Sequence, residues 1–282
     1  MPIGEHALHV VESGPPGGRP FLFLHGWPES WRTWLGVMDA ADAGRSGARI
    51  IAIDLPGIGE SVGTAGDGSK LRLAETVHVL VRHLGLTGLT LVGHDAGGMI
   101  AYAYLRRFDD AERVVIMNTV IPGVDPWDEV LHNPYIWHFG LHAVPDLPET
   151  LVQGRQAEYF DYFYDVLSAD PGRIPVTSRA AYAAAYGRDA ALTAGFDLYR
   201  AFPRDAADNA AFAEAGAVDI PLMYVRGDRE GGDIDAYARG FRDAGVKNLT
   251  TATVPDAGHF TQEEHPATIW RIINDFAYST TN

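Results

Sequence analysis

The sequence predicts an α/β fold in which a mostly parallel sheet is flanked by helices and interrupted by an inserted helical segment. Two observations carry this prediction. Continuous apolar runs, as expected for strands buried on both faces of a parallel sheet, alternate with helical patterns up to Asn118. The alternation then stops: Pro122 to Pro203 carries aromatic residues in helical patterns, and strand-like runs return only from Leu222 onward.

This order of elements divides the chain into two predicted domains. Residues 1–122 and 213–282 form an α/β core, and residues 123–212 form a helical cap inserted between its strands. The predicted strands are His6–Glu12 at one edge, Phe21–Leu24, Arg49–Asp54, Leu89–Val92, Arg113–Asn118, Leu222–Val225 and Leu249–Val254. The predicted core helices are Ser30–Asp42, Ser69–Leu84, Gly97–Phe108, Asp233–Ala244 and His265–Tyr278.

Composition limits the classes of partner. The formal net charge of −15 disfavours nucleic acid and anionic membrane surfaces, because binding there depends on clustered Lys and Arg. The chain has no cysteine, which excludes disulfides and thiolate catalysis. No apolar run approaches the roughly 18 residues of a membrane span. We therefore expect a cytoplasmic protein that acts on a small molecule without a metal or other cofactor, and the sequence leaves homodimer formation open.

One short stretch concentrates the chemistry. A strand-like run ends at Val92, and the residues from Gly93 to Gly97 then form a glycine-flanked turn with Asp95 at its tip. The flanking glycines leave room for Asp95 to take a strained backbone conformation that projects its side chain from the sheet edge. This is the pattern of a nucleophile elbow, G-x-S-x-G, with a carboxylate where serine usually stands.

Four loop motifs in chain order resemble those of the α/β-hydrolase fold, and the resemblance covers nearly the whole chain. They are His25-Gly26-Trp27-Pro28, Asp54-Leu55-Pro56-Gly57-Ile58-Gly59, the elbow Gly93-His94-Asp95-Ala96-Gly97-Gly98 and Ala257-Gly258-His259-Phe260. Within this fold an aspartate elbow is typical of epoxide hydrolases and hydrolytic dehalogenases. The resemblance therefore implies an enzyme that forms a covalent ester on Asp95.

A carboxylate nucleophile changes the task of the histidine. Serine must lose a proton before it attacks, whereas a carboxylate is already ionised near pH 7. Attack by Asp95 on an electrophilic carbon would give an ester, and His259 would then activate the water that hydrolyses it. The resemblance assigns the backbone N–H groups of Trp27 and Ala96 to the oxyanion that forms during hydrolysis.

Two residues are candidates for the carboxylate that orients His259. The fold usually places this acid after the seventh strand in a G-x-x-D turn, and here Glu230 stands at that position, three residues after Gly227. We favour Glu230, because its longer side chain can fill the same role, and keep Asp228 as the alternative. The other position that relatives use, after the sixth strand, holds Asn118, which carries no charge.

Opening an epoxide also needs a proton donor for the ring oxygen, which epoxide hydrolases take from two lid residues, commonly both tyrosine. Asp197-Leu198-Tyr199-Arg200 resembles the second lid motif, so the resemblance assigns Tyr199. The segment Tyr135-Ile136-Trp137-His138-Phe139 resembles a branch of the family with histidine at the first position, so we assign His138 and keep Tyr135 as the fallback. Either a phenol or an imidazole N–H can donate the hydrogen bond. His132 and His142 have no motif support and are left as surface or lid residues.

The residue after the candidate nucleophile favours an epoxide over a halide. Haloalkane dehalogenases typically have tryptophan there and fluoroacetate dehalogenases arginine, whereas this chain has Ala96. We therefore predict an epoxide hydrolase, and the aromatic and alanine residues of the lid favour a lipophilic epoxide of moderate size. Two alternatives stay open. One is a hydrolytic dehalogenase, because the segment around His138 also resembles fluoroacetate dehalogenases, and the other is a non-turnover ligand-binding protein on the same scaffold.

Overall fold

The computed structural model describes residues 1–3, 6–63 and 66–279. Within these residues the strands are β1 (Pro2–Ile3), β2 (His6–Ala7), β3 (Val10–Ser13), β4 (Pro20–Leu24), β5 (Arg49–Ile53), β6 (Leu89–His94), β7 (Ala111–Met117), β8 (Leu222–Gly227) and β9 (Leu249–Val254). The large sheet has the order β3-β5-β4-β6-β7-β8-β9, and its neighbouring strands are parallel except for β3 with β5. The predicted α/β fold with a mostly parallel sheet is confirmed.

Helices connect these strands. They are α1 (Leu35–Ala43), α2 (Lys70–Leu84), α3 (Ala96–Arg107), α4 (Trp127–Leu131), α5 (Trp137–His142), α6 (Leu147–Val152), α7 (Gln156–Leu167), α8 (Val176–Ala185), α9 (Asp189–Arg200), α10 (Phe202–Ala215), α11 (Ile234–Asp243), α12 (Thr261–Glu264) and α13 (Pro266–Tyr278). In the described part of the chain, none of the helices combines the length and the apolar character that crossing a bilayer requires.

The sheet separates two hydrophobic clusters, which explains why β4 is apolar at every position. Phe21 and Phe23 pack in the cluster that contains buried residues of α1 and α13. Leu22 and Leu24 pack in the other cluster, with buried residues of α2 and α3. Successive residues of a strand point to opposite faces, so a strand covered on both faces must be apolar throughout.

The edge of the sheet differs from the prediction of a single strand over His6–Glu12. Ala7 belongs to β2, which pairs with β1 in a hairpin, while β3 begins at Val10 and pairs with β5. At the interruption, the N–H of His9 donates to the hydroxyl of Ser61, which is distant in sequence, at 2.9 Å instead of to a neighbouring strand. The large sheet therefore has a short antiparallel strand at this edge.

A helical segment separates β7 from β8. The residues from 118 to 217, all of them described, contain helices α4–α10 and no strand. Because β7 and β8 pair in parallel, with Val114 opposite Leu222, the segment starts and ends at neighbouring positions of one sheet. The division of the chain into a core of residues 1–122 and 213–282 and a cap of residues 123–212 stays a prediction.

The loops that follow the parallel strands meet at one edge of the sheet. Trp27 follows β4, Asp95 follows β6, Asn118 follows β7, Glu230 follows β8 and His259 follows β9. Open α/β sheets bind ligands at the carboxyl ends of their strands, where the side chains of such loops converge. This edge is therefore where the candidate site is expected.

Candidate active site

The elbow between β6 and α3 has the strained geometry that its sequence predicts. Asp95 has φ of 50° and ψ of −119°, a backbone conformation that side-chain-bearing residues rarely adopt. The turn requires glycine at the neighbouring positions, because a Cβ there would collide with nearby atoms. A Cβ at Gly93 would lie 2.1 Å from the carbonyl oxygen of Gly97, and a Cβ at Gly97 would lie 2.4 Å from the carbonyl oxygen of Leu24. A Cβ at Gly26 would lie 2.4 Å from the Cβ of Asp95.

The carboxylate of Asp95 already contacts two of the predicted partners. The backbone N–H of Trp27 donates to its Oδ1 at 2.8 Å. The Nε2 atom of His259 lies 3.8 Å from its Oδ2, beyond direct hydrogen-bonding distance. Ala96 is the first residue of α3, where backbone N–H groups lack a partner within the helix and the helix dipole favours negative charge. The site is thus built to hold an anion at Asp95.

The other nitrogen of His259 contacts Glu230. The distance from Nδ1 of His259 to Oε1 of Glu230 is 2.7 Å. The second carboxylate oxygen, Oε2, accepts from Nδ2 of Asn118 at 2.9 Å and lies 3.0 Å from Nη2 of Arg226. Burial raises the pKa of Glu230, but the Arg226 guanidinium and the His259 hydrogen bond outweigh burial and hold the pKa at about 2. Glu230 is therefore a carboxylate throughout the neutral range.

Asp228, the alternative acid, lies outside this cluster. Its side chain is 37% exposed, and its Oδ1 is 3.4 Å from Nε of the surface residue Arg229. Of the two acids that the sequence leaves open, Glu230 is the one in contact with His259. Glu230 reaches the imidazole of His259, whereas the Asp228 side chain lies beside Arg229 at the surface.

Replacement of Glu230 by glutamine is expected to slow turnover by on the order of 10³-fold, because His259 would lose both its orientation and the negative charge that stabilises its imidazolium. The measurement is kcat with a chromogenic or chromatographic assay of product. Asp228→Asn is the matched control, and its activity should stay within twofold of the wild type. Equal losses in the two variants would contradict the assignment of Glu230.

A second ion pair lies beneath the site and was missed by sequence reasoning. Oε2 of Glu29 is 2.9 Å from Nδ1 of His94, and both side chains are fully buried. Glu29 also accepts the N–H of Gly26 at 3.3 Å, and Nε2 of His94 lies 2.9 Å from the carbonyl oxygen of His259. The pair thus connects the loop that carries Trp27 with the loop that carries His259. Its signal in the sequence is an ionisable residue directly after the motif His25–Pro28 and another directly before Asp95 in the elbow.

The protonation of this pair makes stability depend on pH. Burial lowers the pKa of His94, but the Glu29 carboxylate outweighs burial and raises the pKa to about 9. Burial raises the pKa of Glu29, yet His94 more than compensates and the net shift is downward. The His94 contribution to stability is full below pH 6.5 and is lost as the pH rises through about 9. The Glu29 contribution is present above pH 4.5 and is lost on acidification.

Glu29→Gln is expected to lower the free energy of unfolding at pH 7 by about 3 kcal/mol, because it removes one partner of a buried pair. The decline in stability between pH 7 and pH 9 should also disappear from the variant. Urea unfolding at several pH values measures both effects. Glu75→Gln, which removes an exposed i,i+3 partner of Arg72, is the control and should change stability by less than about 0.5 kcal/mol. A variant that keeps the wild-type alkaline decline would show that His94 does not cause it.

The two assigned lid residues face the same cavity as Asp95. This cavity has a volume of about 780 Å³ and is lined by Asp95, His259, Trp27, His138 and Tyr199. Most of its other lining residues come from the loops at the strand ends and from the helical segment between β7 and β8. The rings of His138 and Tyr199 are 6.0 Å apart, and each lies within 6.5 Å of the Trp27 indole. Among the described residues, neither side chain has a hydrogen-bond partner. Both are therefore unengaged polar groups at the cavity wall.

Both lid groups are held as neutral donors. Burial, with His259 nearby, lowers the pKa of His138 to about 3, so its imidazole is uncharged at neutral pH and keeps one N–H. Burial, with the Asp95 carboxylate nearby, raises the pKa of Tyr199 well above its ordinary value, so its hydroxyl keeps its proton. The cavity wall opposite the candidate nucleophile thus offers hydrogen bonds without charge.

The remaining aromatic and histidine candidates lie elsewhere. Tyr135, the fallback for the first lid position, is 82% exposed and does not line the cavity. His132 is exposed at the cavity mouth. His142 is fully buried within the helical segment that carries Tyr199, where its Nε2 lies 2.8 Å from the hydroxyl of Tyr159 and its ring is 4.5 Å from that of Tyr199. His142 is therefore a packing neighbour of Tyr199 and not a surface residue.

The fold and the site have the arrangement of a known class of hydrolase. The alpha/beta hydrolase fold family matches residues 19–266, which is most of the chain. The chain therefore belongs to the α/β-hydrolase family, and the protein is a hydrolase. The four loop motifs that predicted this family all lie within the matched region.

Within that family the chain is similar to proteins named as epoxide hydrolases and to a further solved structure, Cfl2. It is 30% identical over 272 residues to the soluble epoxide hydrolase of Corynebacterium sp. (strain C12), covering 94% of this chain and 91% of that protein. The crystal structure of wild-type Cfl2 from Burkholderia cenocepacia has a TM-score of 0.87 at 31% identity, covering 97% of this chain and 93% of that one. The epoxide hydrolase CorEH without ligand has a TM-score of 0.85 at 26% identity, with 97% and 95% covered. The predicted resemblance to epoxide hydrolases is confirmed.

Proposed function

We propose that the protein is an epoxide hydrolase that converts an epoxide and water into a vicinal diol. The observation that carries this proposal is one cavity shared by a carboxylate in a strained elbow, Asp95, and two uncharged donors, His138 and Tyr199. A strained ring needs both groups, because its carbon must be attacked while its oxygen receives a proton. Relatives named as epoxide hydrolases along nearly the whole chain support the same assignment.

In the first step, the carboxylate of Asp95 attacks a ring carbon and the bond from that carbon to the ring oxygen breaks. Because Oδ1 accepts the N–H of Trp27, we expect Oδ2 to be the attacking atom. The departing oxygen takes the proton of the Tyr199 hydroxyl while His138 donates a hydrogen bond to it. An alkoxide is a stronger base than a phenolate, which favours transfer of the proton to the departing oxygen as the ring opens. The product is an ester on Asp95 whose alcohol part carries a new hydroxyl.

In the second step, His259 takes a proton from a water as the water attacks the ester carbonyl carbon. Glu230 orients the imidazole through Nδ1 and stabilises its positive charge. The oxyanion that forms on the former carboxyl group is stabilised by the N–H of Trp27 and, by resemblance, that of Ala96. Collapse breaks the bond between the carboxyl carbon and the ester oxygen, and the leaving oxygen takes the remaining proton of the added water, which releases the diol and regenerates the Asp95 carboxylate. The proton on His259 returns to the Tyr199 phenolate. One water is consumed for each epoxide.

The cavity favours a lipophilic substrate of moderate size. Its wall includes the apolar side chains of Phe139, Phe163, Leu167 and Phe260, while its mouth carries polar residues such as Glu129. Burial of an aryl or alkyl substituent among these rings would supply binding free energy, whereas the ring oxygen needs only the two lid donors. We therefore propose aryl-substituted and medium-chain terminal epoxides as substrates.

The test is diol formation from styrene oxide and a panel of related epoxides, separated by chiral chromatography. Haloacetates are assayed in parallel for halide release. Diol formation without halide release is the expected result. Halide release with no epoxide turnover would favour a hydrolytic dehalogenase. Reversible binding with no product and no adduct on Asp95 would indicate a ligand-binding protein instead.

A further inference from the structure

A buried lysine connects the sheet-flanking helix α2 with the lid helices. Lys70 is the first residue of α2, and its side chain is 3% exposed. Its Nζ lies 2.7 Å from Oδ2 of Asp205, a residue of α10 that is 2% exposed. The same ammonium donates to the backbone carbonyl of Leu198, near the end of α9, and lies 4.7 Å from the ring centre of Phe202.

Asp205 and Lys70 each also contact the end of a helix. Oδ1 of Asp205 accepts the backbone N–H of Lys70 at 2.8 Å, which places a negative charge at the N-terminus of α2. The Lys70 ammonium in turn lies at the C-terminal end of α9, where unpaired carbonyls favour a cation. Each of the two charges therefore interacts both with its partner side chain and with a helix terminus.

These contacts converge on the peptide that precedes Tyr199. The carbonyl of Leu198 belongs to the peptide bond that joins Leu198 to Tyr199, so the ammonium binds the peptide group directly bonded to the Tyr199 Cα. A second contact acts one residue earlier. Gly68 has φ of 73°, and a Cβ there would lie 2.3 Å from the carbonyl oxygen of Asp197. The last turn of α9 is thus pressed against the start of α2 at two successive carbonyls.

We propose that Lys70, together with Asp205, is a positioning residue that fixes the Tyr199 hydroxyl in the cavity for ring opening. The proposal rests on the epoxide hydrolase function and deepens it. Two well-packed apolar side chains would fill the same volume without the desolvation of two charges, but they would not bind the Leu198 carbonyl. The ammonium is the group that sets where α9 ends and therefore where the phenol stands. Small displacements of such a group reduce rate strongly.

A double-mutant cycle tests the proposal. Lys70→Met with Asp205→Asn removes both charges while leaving an acceptor for the residue-70 N–H, and it is made in the wild type and in Tyr199→Phe. Single-turnover formation of the Asp95 ester is followed by mass spectrometry with styrene oxide. The combined substitution Lys70→Met/Asp205→Asn is expected to slow ester formation about tenfold in the wild-type background, as a displaced reacting group would. In the Tyr199→Phe background it should change the rate less than twofold.

Two further readouts separate positioning from general damage. Hydrolysis of the ester, which uses His259, should stay within twofold of the wild type. Arg204→Met is the matched control, because Arg204 forms an exposed pair with Asp67 between the same two segments, 3.3 Å apart, and its loss should leave ester formation unchanged. If the Lys70→Met/Asp205→Asn protein does not fold, as judged by circular dichroism, the apolar pair Lys70→Met/Asp205→Leu takes its place.

The outcomes are distinct. Slowing that depends on Tyr199 supports the proposal. Slowing of equal size in both backgrounds, or no slowing at all, overturns it while the epoxide hydrolase function stands. A wild-type protein that neither turns over epoxides nor forms the ester overturns the function and this proposal together.

Discussion

Asp95→Asn is expected to lower epoxide turnover by on the order of 10⁴-fold or more, the size of loss that follows removal of a nucleophile in covalent hydrolases. An amide has no negative charge with which to attack a ring carbon, and the N–H of Trp27 that now binds Oδ1 cannot compensate. Diol formation in the steady state and ester formation in a single turnover measure the effect. Both should fall together.

The control for this variant is Asp228→Asn, the same chemical change at an exposed carboxylate outside the cavity. The intact mass of Asp95→Asn is checked before and after the assay, because slow hydrolysis of the new amide would restore aspartate. Turnover at the wild-type rate by a protein that still has the asparagine mass would rule out the covalent mechanism.

His259→Gln is expected to stop the reaction halfway, with turnover reduced on the order of 10⁴-fold or more. Attack by Asp95 does not need the histidine, so the ester should form and then persist. Peptide mass spectrometry should find the peptide that contains Asp95 heavier by the mass of one epoxide. Loss of turnover without this adduct would mean that His259 acts before or during ring opening.

The control for trapping is the double variant Asp95→Asn/His259→Gln, which should give no adduct. Retention of the adduct in the double variant would place the modified residue elsewhere. Asp95→Asn thus reports on formation of the ester, and His259→Gln reports on its hydrolysis. Each half-reaction has its own contradicting result.

The local part of the site could be predicted from the sequence because each motif contains its own geometry. Gly93 and Gly97 indicate the elbow, since larger residues would collide with backbone there. The apolar runs likewise predict a sheet covered on both faces. The other strands end within two residues of their predicted bounds, whereas the predicted edge strand His6–Glu12 is divided between two strands. His9 broke that strand by bonding to Ser61, which is distant in sequence.

The contacts between residues that are distant in sequence could not be predicted in the same way. Glu29 and His94 are 65 residues apart, and Lys70 and Asp205 are 135 apart, so neither pairing leaves a pattern in any short window. The choice between Glu230 and Asp228 depended on which side chain turns toward the histidine loop, a question of three-dimensional direction. The sequence left His142 as a surface or lid residue, because its burial against Tyr199 follows from tertiary packing alone.

The parallel pairing of β7 with β8 has a consequence for how substrate range can change. Asn118 and Glu230 follow these two strands, and the sheet fixes their separation whatever chain lies between. Under the proposed function, the machinery that cleaves the ester is therefore carried by the sheet, and the groups that open the ring are carried by the segment between the strands. Remodelling that segment would redirect the enzyme to new epoxides while leaving hydrolysis of the ester intact, which makes it the natural target for library construction.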